Sequence, residues 1–476
     1  MALNLVRNSR VFFTSNVNSS TGVIQATGFT AANTQEIQVL EGFTFSQNTN
    51  ATQITISEAG VAPTRGQRSF NTSLAPVDFS FSTYIRPYNA TTSITAEEGV
   101  LWNALFSANA ISAANTITVG GTVSTAAYVF GTPTVGNGTI TITGTGMTYT
   151  GVAVGDWVVI GGLTGTSDIT LVNAAAQITS LSATSITLDL ASPKAAGAAI
   201  TGITVGALKF YKYAFAPVSS NYSLVTAAGS NVNQLQRFGL FFSVDNVIYQ
   251  VDNCALNQAM IDFGLGNIAT IQWTGQATAL TQSAVTLSTI LAGYTPKQTA
   301  APFITNKLST VSMSLVNALG AAAAGTSYAI ALTGGSITIN NNITYITPAN
   351  LGIVNVPATY YTGTRAISGS MTAYLKTGAG TGSTGQLLTD MLSAITTSTE
   401  PMATISLAIG GAANATKVVL DMPAVTFTIP TIDASQPVVS TTINFTAEGY
   451  TPSATANGNV FALDEVSDLT VRYYSA

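Results

Sequence analysis

Histidine is absent from all 476 residues and cysteine occurs once, at Cys254. The first absence removes the commonest general base, the Ser-His-Asp and Cys-His arrangements and the commonest metal ligand. The second rules out an intrachain disulfide and a cysteine-based zinc site. Charge is also scarce: Asp, Glu, Lys and Arg make up 7% of the chain, against about 25% in an ordinary soluble domain. The 15 basic residues are scattered apart from Arg65 and Arg68, so no basic stripe exists to grip nucleic-acid phosphates. Long apolar runs are missing too. The most membrane-like stretch, Val316 to Leu332, is broken by Asn317, Gly320, Gly325, Thr326 and Ser327. It falls short of the roughly 20 apolar residues a span requires, and no stable membrane insertion is expected. Near the N-terminus Val11-Phe12-Phe13 gives way at once to Thr14-Ser15-Asn16, so no export signal is expected.

What remains is a chain rich in small, β-favouring residues. Hydrophobic residues make up 46%, with 42 Gly, and Thr, Val and Ile suit pleated strands while Gly and Asn punctuate turns. The fold class expected is mainly β, with helix a minor component. High apolar content with little charge is the opposite of a disordered composition. The length calls for several cores. A net charge of −5 over the whole chain is weak protection against association, which favours an obligate assembly over a monomer that is merely Thr-rich.

An internal repeat organises the chain. Leu40, Asn48, Asn50, Thr52, Ile54 and Thr55 lie over Leu332, Asn340, Asn342, Thr344, Ile346 and Thr347 without a gap, and Gly60 then falls on Gly352. After a two-residue slip, Ser80 to Arg86 lies over Ser370 to Lys376, both alternating strands ending in a basic residue. A short helical pattern follows, with Leu101 and Leu105 answering Leu388 and Leu392. Further on, Val247–Val251 is aligned with Val425–Ile429, Gln258 with Gln436, and Ile271–Thr274 with Ile443–Thr446. Chance similarity between Thr-rich strands is the competing explanation, and the preserved order and spacing favour duplication. Each copy thus has sheet, a short helix, then more sheet.

The first copy carries a large insertion in which, from Ile111 to Ala207, only Asp156, Asp168, Asp189 and Lys194 are charged. Strands are expected at Gly155–Gly162, Ile178–Leu181 and Ser185–Leu190. The expected division is residues 1–107 plus 209–281 as the first domain and 108–208 as a small inserted β-domain. A linker over 282–328 and a second domain over 329–476 complete it.

Few residues invite a chemical reading. A glycosidase needs only two acids, but Glu97-Glu98 stands where a helix should begin and complements its dipole, while Asp464-Glu465 lies in a terminal loop. The stretch Gly378–Gly385 lacks the Lys of a phosphate-binding loop and reads as a turn. No enzyme activity, cofactor or metal is expected. Glu58, Arg65 and Arg68 form the densest charge cluster, open to two readings, a solvated loop or a contact between subunits. Arg86, Arg365 and Lys376 join them as candidate contacts, and Tyr84 and Tyr374 read as sheet-face packing residues.

Several segments resemble the tail tube proteins of long-tailed bacteriophages. They are Arg7 to Thr14 (Arg-Asn-Ser-Arg-Val-Phe-Phe-Thr), Gln38 to Ser46, Arg65 to Ser82, and Pro357 to Arg365 running into Ser368 to Tyr374. The insertion's Gly-Asp-Trp-Val-Val-Ile-Gly-Gly at Gly155–Gly162 is similar to the small domain of some of these proteins. The resemblance implies sandwich domains whose sheets join around a ring, with rings stacked into the tube through which the genome passes. Family members usually carry one such domain and form hexamers; two per chain imply a trimeric, pseudo-hexameric ring with the insertion outside. Strands at 70 to 86 and 365 to 376 would line or border the bore. Implied partners are the chain itself, tail sheath, baseplate or hub, tail terminator and tape-measure proteins, with DNA passing without tight binding. The implied location is the virion, after synthesis in the bacterial host cytoplasm, and the tail type expected is contractile. Two other classes share the Thr, Asn and Gly richness: an extracellular adhesin or surface-layer protein, and a phage fibre or decoration protein.

Overall fold

The computed structural model describes residues 9–40, 42–54, 68–90, 93–106, 116–129, 139–149, 154, 157–164, 175–190, 204–212, 216–218, 221–225, 235–245, 247–298, 302–315, 319, 322, 326–376, 383–394, 402–410, 416–435, 437–448, 450–451, 460–461 and 469–474. The architecture is mainly β and antiparallel. In the first half the elements are β1 (Ser9–Thr14), β2 (Thr34–Ile37), β3 (Thr44–Ile54), β4 (Arg68–Tyr84) and α1 (Gly99–Phe106). After the insertion come β5 (Phe238–Val244), β6 (Val247–Asp262), β7 (Thr270–Ala277) and β8 (Ala279–Gln282). The second half begins with β9 (Thr310–Leu315), β10 (Ser327–Ala329), β11 (Leu332–Asn340), β12 (Ala366–Tyr374) and α2 (Thr384–Ala394). It continues with β13 (Met402–Gly410), β14 (Lys417–Phe427), β15 (Thr431–Asp433), β16 (Ser440–Ala447) and β17 (Thr470–Tyr474).

The two halves are wired alike. In the first, β3 pairs with β4, β4 with β7, β7 with β6, β6 with β5 and β8, β5 with β1, and β1 with β2. In the second, β11 pairs with β12, β12 with β16, β16 with β14 and β15, β14 with β13 and β17, β13 with β9, and β9 with β10. Registers agree as well as partners. Thr44 lies opposite Ser80 as Ser336 lies opposite Ser370, which is the pairing the sequence alignment of those four residues requires. A bulge between Val251 and Cys254 in β6 recurs between Met422 and Val425 in β14. There each long strand bends out of a back sheet into a front sheet, as bulges allow. Even a hydroxyl pair repeats: Thr14 Oγ1 meets Thr34 Oγ1 at 3.0 Å, and Ser314 Oγ meets Ser327 Oγ at 2.8 Å.

These registers correct the sequence alignment beyond its first two blocks. Val425 stands in the place of Cys254, not Val247. Trp273, opposite Phe81, corresponds to Ile443, opposite Met371, a two-residue slip that leaves the faces unchanged. In the helices, Leu101 and Leu105 are buried, but their counterparts are Leu387 and Met391; Leu388 is half-buried and Leu392 exposed. A one-residue phase error separates adjacent leucines on a helix by about 100°. Gln436 lies outside the described residues. Within 282–328, expected as linker, Thr310–Leu315 forms β9 and Ser327 begins β10 (Ser327–Ala329), strands of the second half.

The front sheet runs β3-β4-β7-β6-β11-β12-β16 and ends in β14 with β15, because β6 pairs with β7 on one side and with β11 on the other. One apolar core continues across both halves behind it, including Phe79, Phe81, Trp273, Ile261, Ile337 and Met371. Alternation explains this: in β16, Thr441, Ile443, Phe445 and Ala447 point inward while Thr442, Asn444 and Thr446 point out, as a period of two demands. The insertion forms its own seven-stranded sheet from Thr116–Thr118 to Thr204–Lys212. It contains the three expected strands, observed at Trp157–Thr164, Ala175–Leu181 and Ser185–Leu190, and it reaches Lys212, beyond the expected boundary at 208.

Candidate assembly interface

The join between the halves is a strand junction. Gln258, Ala259, Met260, Ile261 and Asp262 of β6 lie opposite Asn340, Ile339, Thr338, Ile337 and Ser336 of β11. Beyond its two ends, Phe263 N–H donates to Gly335 O at 3.1 Å and Asn341 N–H to Asn257 O at 2.8 Å. Ala259, Ile261, Ile337 and Ile339 are wholly buried. The Asn341 side chain, itself buried, donates to the carbonyls of Leu105 in α1 (2.8 Å) and Leu256 (3.2 Å). Helix, β6 and β11 are thereby locked together, since a buried amide is costly unless satisfied.

At the two extremes of the front sheet the pattern is interrupted. Among the described residues, β3 has a ladder with β4 alone and β15 with β16 alone. Ile432 in β15 stands where Ile261 stands in β6, each beside its aspartate. Ile261 is wholly buried and Ile432 is 50% exposed. Open edges bearing apolar side chains are templates for another strand.

The outward side of the front sheet is polar. A concavity on it is lined by Ser336, Ser370, Thr426, Thr428, Asn444 and Thr446 among others, hydroxyls and amides without an acid or a base. The charged side chains described on this face include Asp78, Asp262, Asp433 and Glu448, the last accepting from Thr426 Oγ1 at 2.9 Å. Asp433 accepts from Ser435 N–H at 2.8 Å, and hydrogen bonding from Ser435 holds its carboxyl below the usual range. Asp433 is therefore held in its charged form.

The candidate contact residues do not come together. Glu58 and Arg65 lie outside the described residues, and of Arg68 only the backbone, at the start of β4, is described. Arg86 is internal: it is 1% exposed, forms an ion pair with Glu97 (3.1 Å) and lies over the ring of Phe303 (4.7 Å). That position takes it off the surface. Arg365 is half-buried with its guanidinium 5.7 Å from the Phe106 ring centroid, and Lys376 is exposed just beyond β12. Tyr84 packs edge-on against Phe303 at 5.1 Å, whereas Tyr374 is 44% exposed. Asp464 and Glu465 lie outside the described residues, as do Gly378 to Gly382.

Glu97 and Glu98 do precede α1, but buried rather than solvated. Glu98 accepts from Tyr473 Oη of β17, and Tyr473 in turn accepts from Trp102 Nε1 of α1 at 2.7 Å. Burial pushes the Glu98 carboxyl up to about 7 against the hydrogen bonds that lower it, and Glu97 is raised for the same reason. Glu98, through Tyr473, ties the start of the first half's helix to the last strand of the second. Among the described residues no group of three or more His, Cys, Asp or Glu could hold a metal, and no helix is long and apolar enough to cross a membrane.

Two features escaped the sequence reading. One is the open edge at Thr428–Asp433, signalled only by the alternation Ile429, Thr431, Asp433. The other is the turn carrying Leu351, Ile353, Val354 and Val356, all strongly exposed.

No protein-family model matches the chain. It is 26% identical over 381 residues to the tail tube protein pb6 of Escherichia phage T5. That similarity supports a phage tail tube protein. The matched region is 79% of this chain, and the chain spans 58% of the length of that curated relative. A structural, virion role agrees with the β-rich fold and with the acid pair's engagement inside the core.

Proposed function

We propose that this chain is a tail tube subunit that assembles with copies of itself into stacked rings, three chains to a ring, forming the conduit for the viral genome. The observation that carries the reading is the front sheet, eight strand positions wide and continuous through the β6–β11 junction, with an open edge at each end. Matching edges at opposite ends of one sheet are closed by a cyclic arrangement of copies.

Geometry favours three. With strands about 4.8 Å apart and tilted by about 40°, a barrel of about twenty-four strands is roughly 48 Å across at the backbone. Two chains would give about sixteen strands and roughly 32 Å, which side chains would narrow to little more than a duplex. The polar, anionic front face suits a bore that DNA must traverse without sticking. The two halves are read as duplicated tube domains, and the inserted sheet as an outer appendage. The exposed apolar turn at Leu351–Val356, with the charged loop at Glu58, Arg65 and Arg68, is read as contact between rings. Tail terminator, baseplate or hub and tape-measure proteins are its partners in this reading. A sheath would follow only from a contractile tail, a point on which the match is silent.

Electron microscopy of the purified protein tests the reading. Tubes with a central channel are expected; trimeric spikes would favour a fibre or decoration protein, and flat sheets or isolated monomers a surface-layer protein or adhesin.

A further inference from the structure

The β6–β11 junction is a template for a second junction that the chain cannot make with itself. The register of β6 with β7 places Asp262 opposite Thr270 and Ile261 opposite Ile271, and that of β15 with β16 places Asp433 opposite Ser440 and Ile432 opposite Thr441. With the shared bulges, this equates Thr428–Asp433 with Asn257–Asp262. The β3–β4 and β11–β12 registers equate Thr44–Asn48 with Ser336–Asn340. Both segments of the template therefore have counterparts, one at each end of the front sheet and each without a ladder partner on its outer side among the described residues.

We infer that Thr428–Asp433 pairs antiparallel with Thr44–Asn48 of a second copy of this chain, Asp433 opposite Thr44, Ile432 opposite Phe45, Thr431 opposite Ser46 and Ile429 opposite Asn48. The inference rests on the ring reading and specifies its contact. Exposure supports it: Ile432 is 50% exposed where Ile261 is wholly buried, and Phe45 is only half-buried where Ile337 is wholly buried. Pairing covers both apolar side chains.

In its backbone hydrogen bonding the second junction lacks one donor of the first. Ala259, opposite Ile339, sits in phase with the Phe263–Gly335 and Asn257–Asn341 hydrogen bonds, so its N–H faces β11. Its counterpart is Pro430, which has no N–H. The chain-to-chain ladder is thus one hydrogen bond short of the internal one, and a proline on an edge strand restrains premature pairing. Pro430 makes the intersubunit seam the weaker of the two and keeps the free subunit from joining wrong edges.

Disulfide trapping tests the register. Asp433 and Thr44 would form a non-hydrogen-bonded pair with Cα atoms about 4.5 Å apart, within reach of a disulfide, and Cys254 is buried and out of the way. Thr44→Cys with Asp433→Cys should give covalent multimers on oxidation of assembled protein, at least about tenfold more than Thr44→Cys with Thr431→Cys, which sits two residues or about 7 Å out of register. Tubes that form but cross-link no better in the first variant than in the second overturn the inference and leave the tube reading standing. If the unsubstituted protein forms no rings or tubes, both fall. Pro430→Ala should lower the concentration at which tubes appear by about fivefold per junction, the effect of one restored hydrogen bond; a higher concentration would overturn the restraining role.

Discussion

Phe45 and Ile337 hold the same place in two ladders, Phe45 opposite Phe79 and Ile337 opposite Gly369, yet β6 pairs with Ile337 on its free side, while Phe45, whose ring packs on Phe242 and Tyr249, has no ladder partner there among the described residues. The difference between an internal and a terminal position of one sheet should be measurable. Ile337→Ala should destabilise the monomer by about 2–5 kcal/mol, as for other buried aliphatic truncations. Phe45→Ala should cost less in the monomer and more in the assembled tube. Thermal unfolding of both forms of each variant checks this, and equal losses for Phe45→Ala in monomer and tube would count against a buried role in the assembly.

Glu98 should make stability fall as pH rises. Its folded carboxyl titrates at about 7 against an ordinary 4.5, so between those values the folded state holds the proton and the unfolded state does not. The stabilisation is complete below the lower value and is lost as pH rises through the upper one, by on the order of 3 kcal/mol. Glu97, also raised, acts in the same direction. Glu98→Gln keeps a neutral partner for Tyr473 and should flatten the dependence. Unfolding midpoints measured between about pH 5 and about pH 8 decide it; an unchanged slope in the variant would assign the effect elsewhere.

The anionic front face predicts a change in DNA behaviour when its sign is reversed. Asp78→Lys with Asp262→Lys should still give tubes, since both side chains point away from the core. Those tubes should retain duplex DNA at low salt and release it as salt rises, the signature of phosphate contacts. Co-sedimentation with a short duplex measures this. Retention equal to that of the unsubstituted tube would mean that this face does not line the channel.

Much of this organisation was legible in the residues, and the errors share a physical cause. Period-two alternation located β3, β4, β11 and β12, and the matched Asn and Thr residues set their register correctly. Beyond the helix the alignment slipped, because Thr-rich strands of similar period look alike at any even offset; the two-residue error at Ile443 left every face intact and so left no trace in the pattern. β9 and β10 were missed because Ser312 stands where β1 carries Phe12, and the ladders of β9 with β13 and of β10 with β9, rather than local sequence, make them strands. Arg86 stands among the candidate contacts because arginine is seldom wholly buried; its ion pair with Glu97, eleven residues on, is what makes burial tolerable. The open edge at Thr428–Asp433 is invisible in sequence, where an edge strand and a central strand differ only by what lies beside them.

Charge reversal at Arg65 and Arg68 should separate folding from polymerisation. Arg65→Glu with Arg68→Glu is expected to leave the monomer's unfolding midpoint within about 0.5 kcal/mol of the original, as for other surface changes, and to reduce tube yield. Sedimentation after assembly reads the yield. Undiminished tubes would remove this loop from the contacts between rings.

The central claim is that two like-wired halves, joined through one strand junction, repeat that junction from chain to chain until a ring closes. A symmetry-resolved electron-microscopy image of the assembled protein tests it most directly. The account predicts threefold rings with six similar inner lobes and a continuous inner sheet passing through Ile261–Ile337 and Ile432–Phe45 alternately. Rings of six chains, or an inner wall in which the edge of β3 meets solvent, would contradict it.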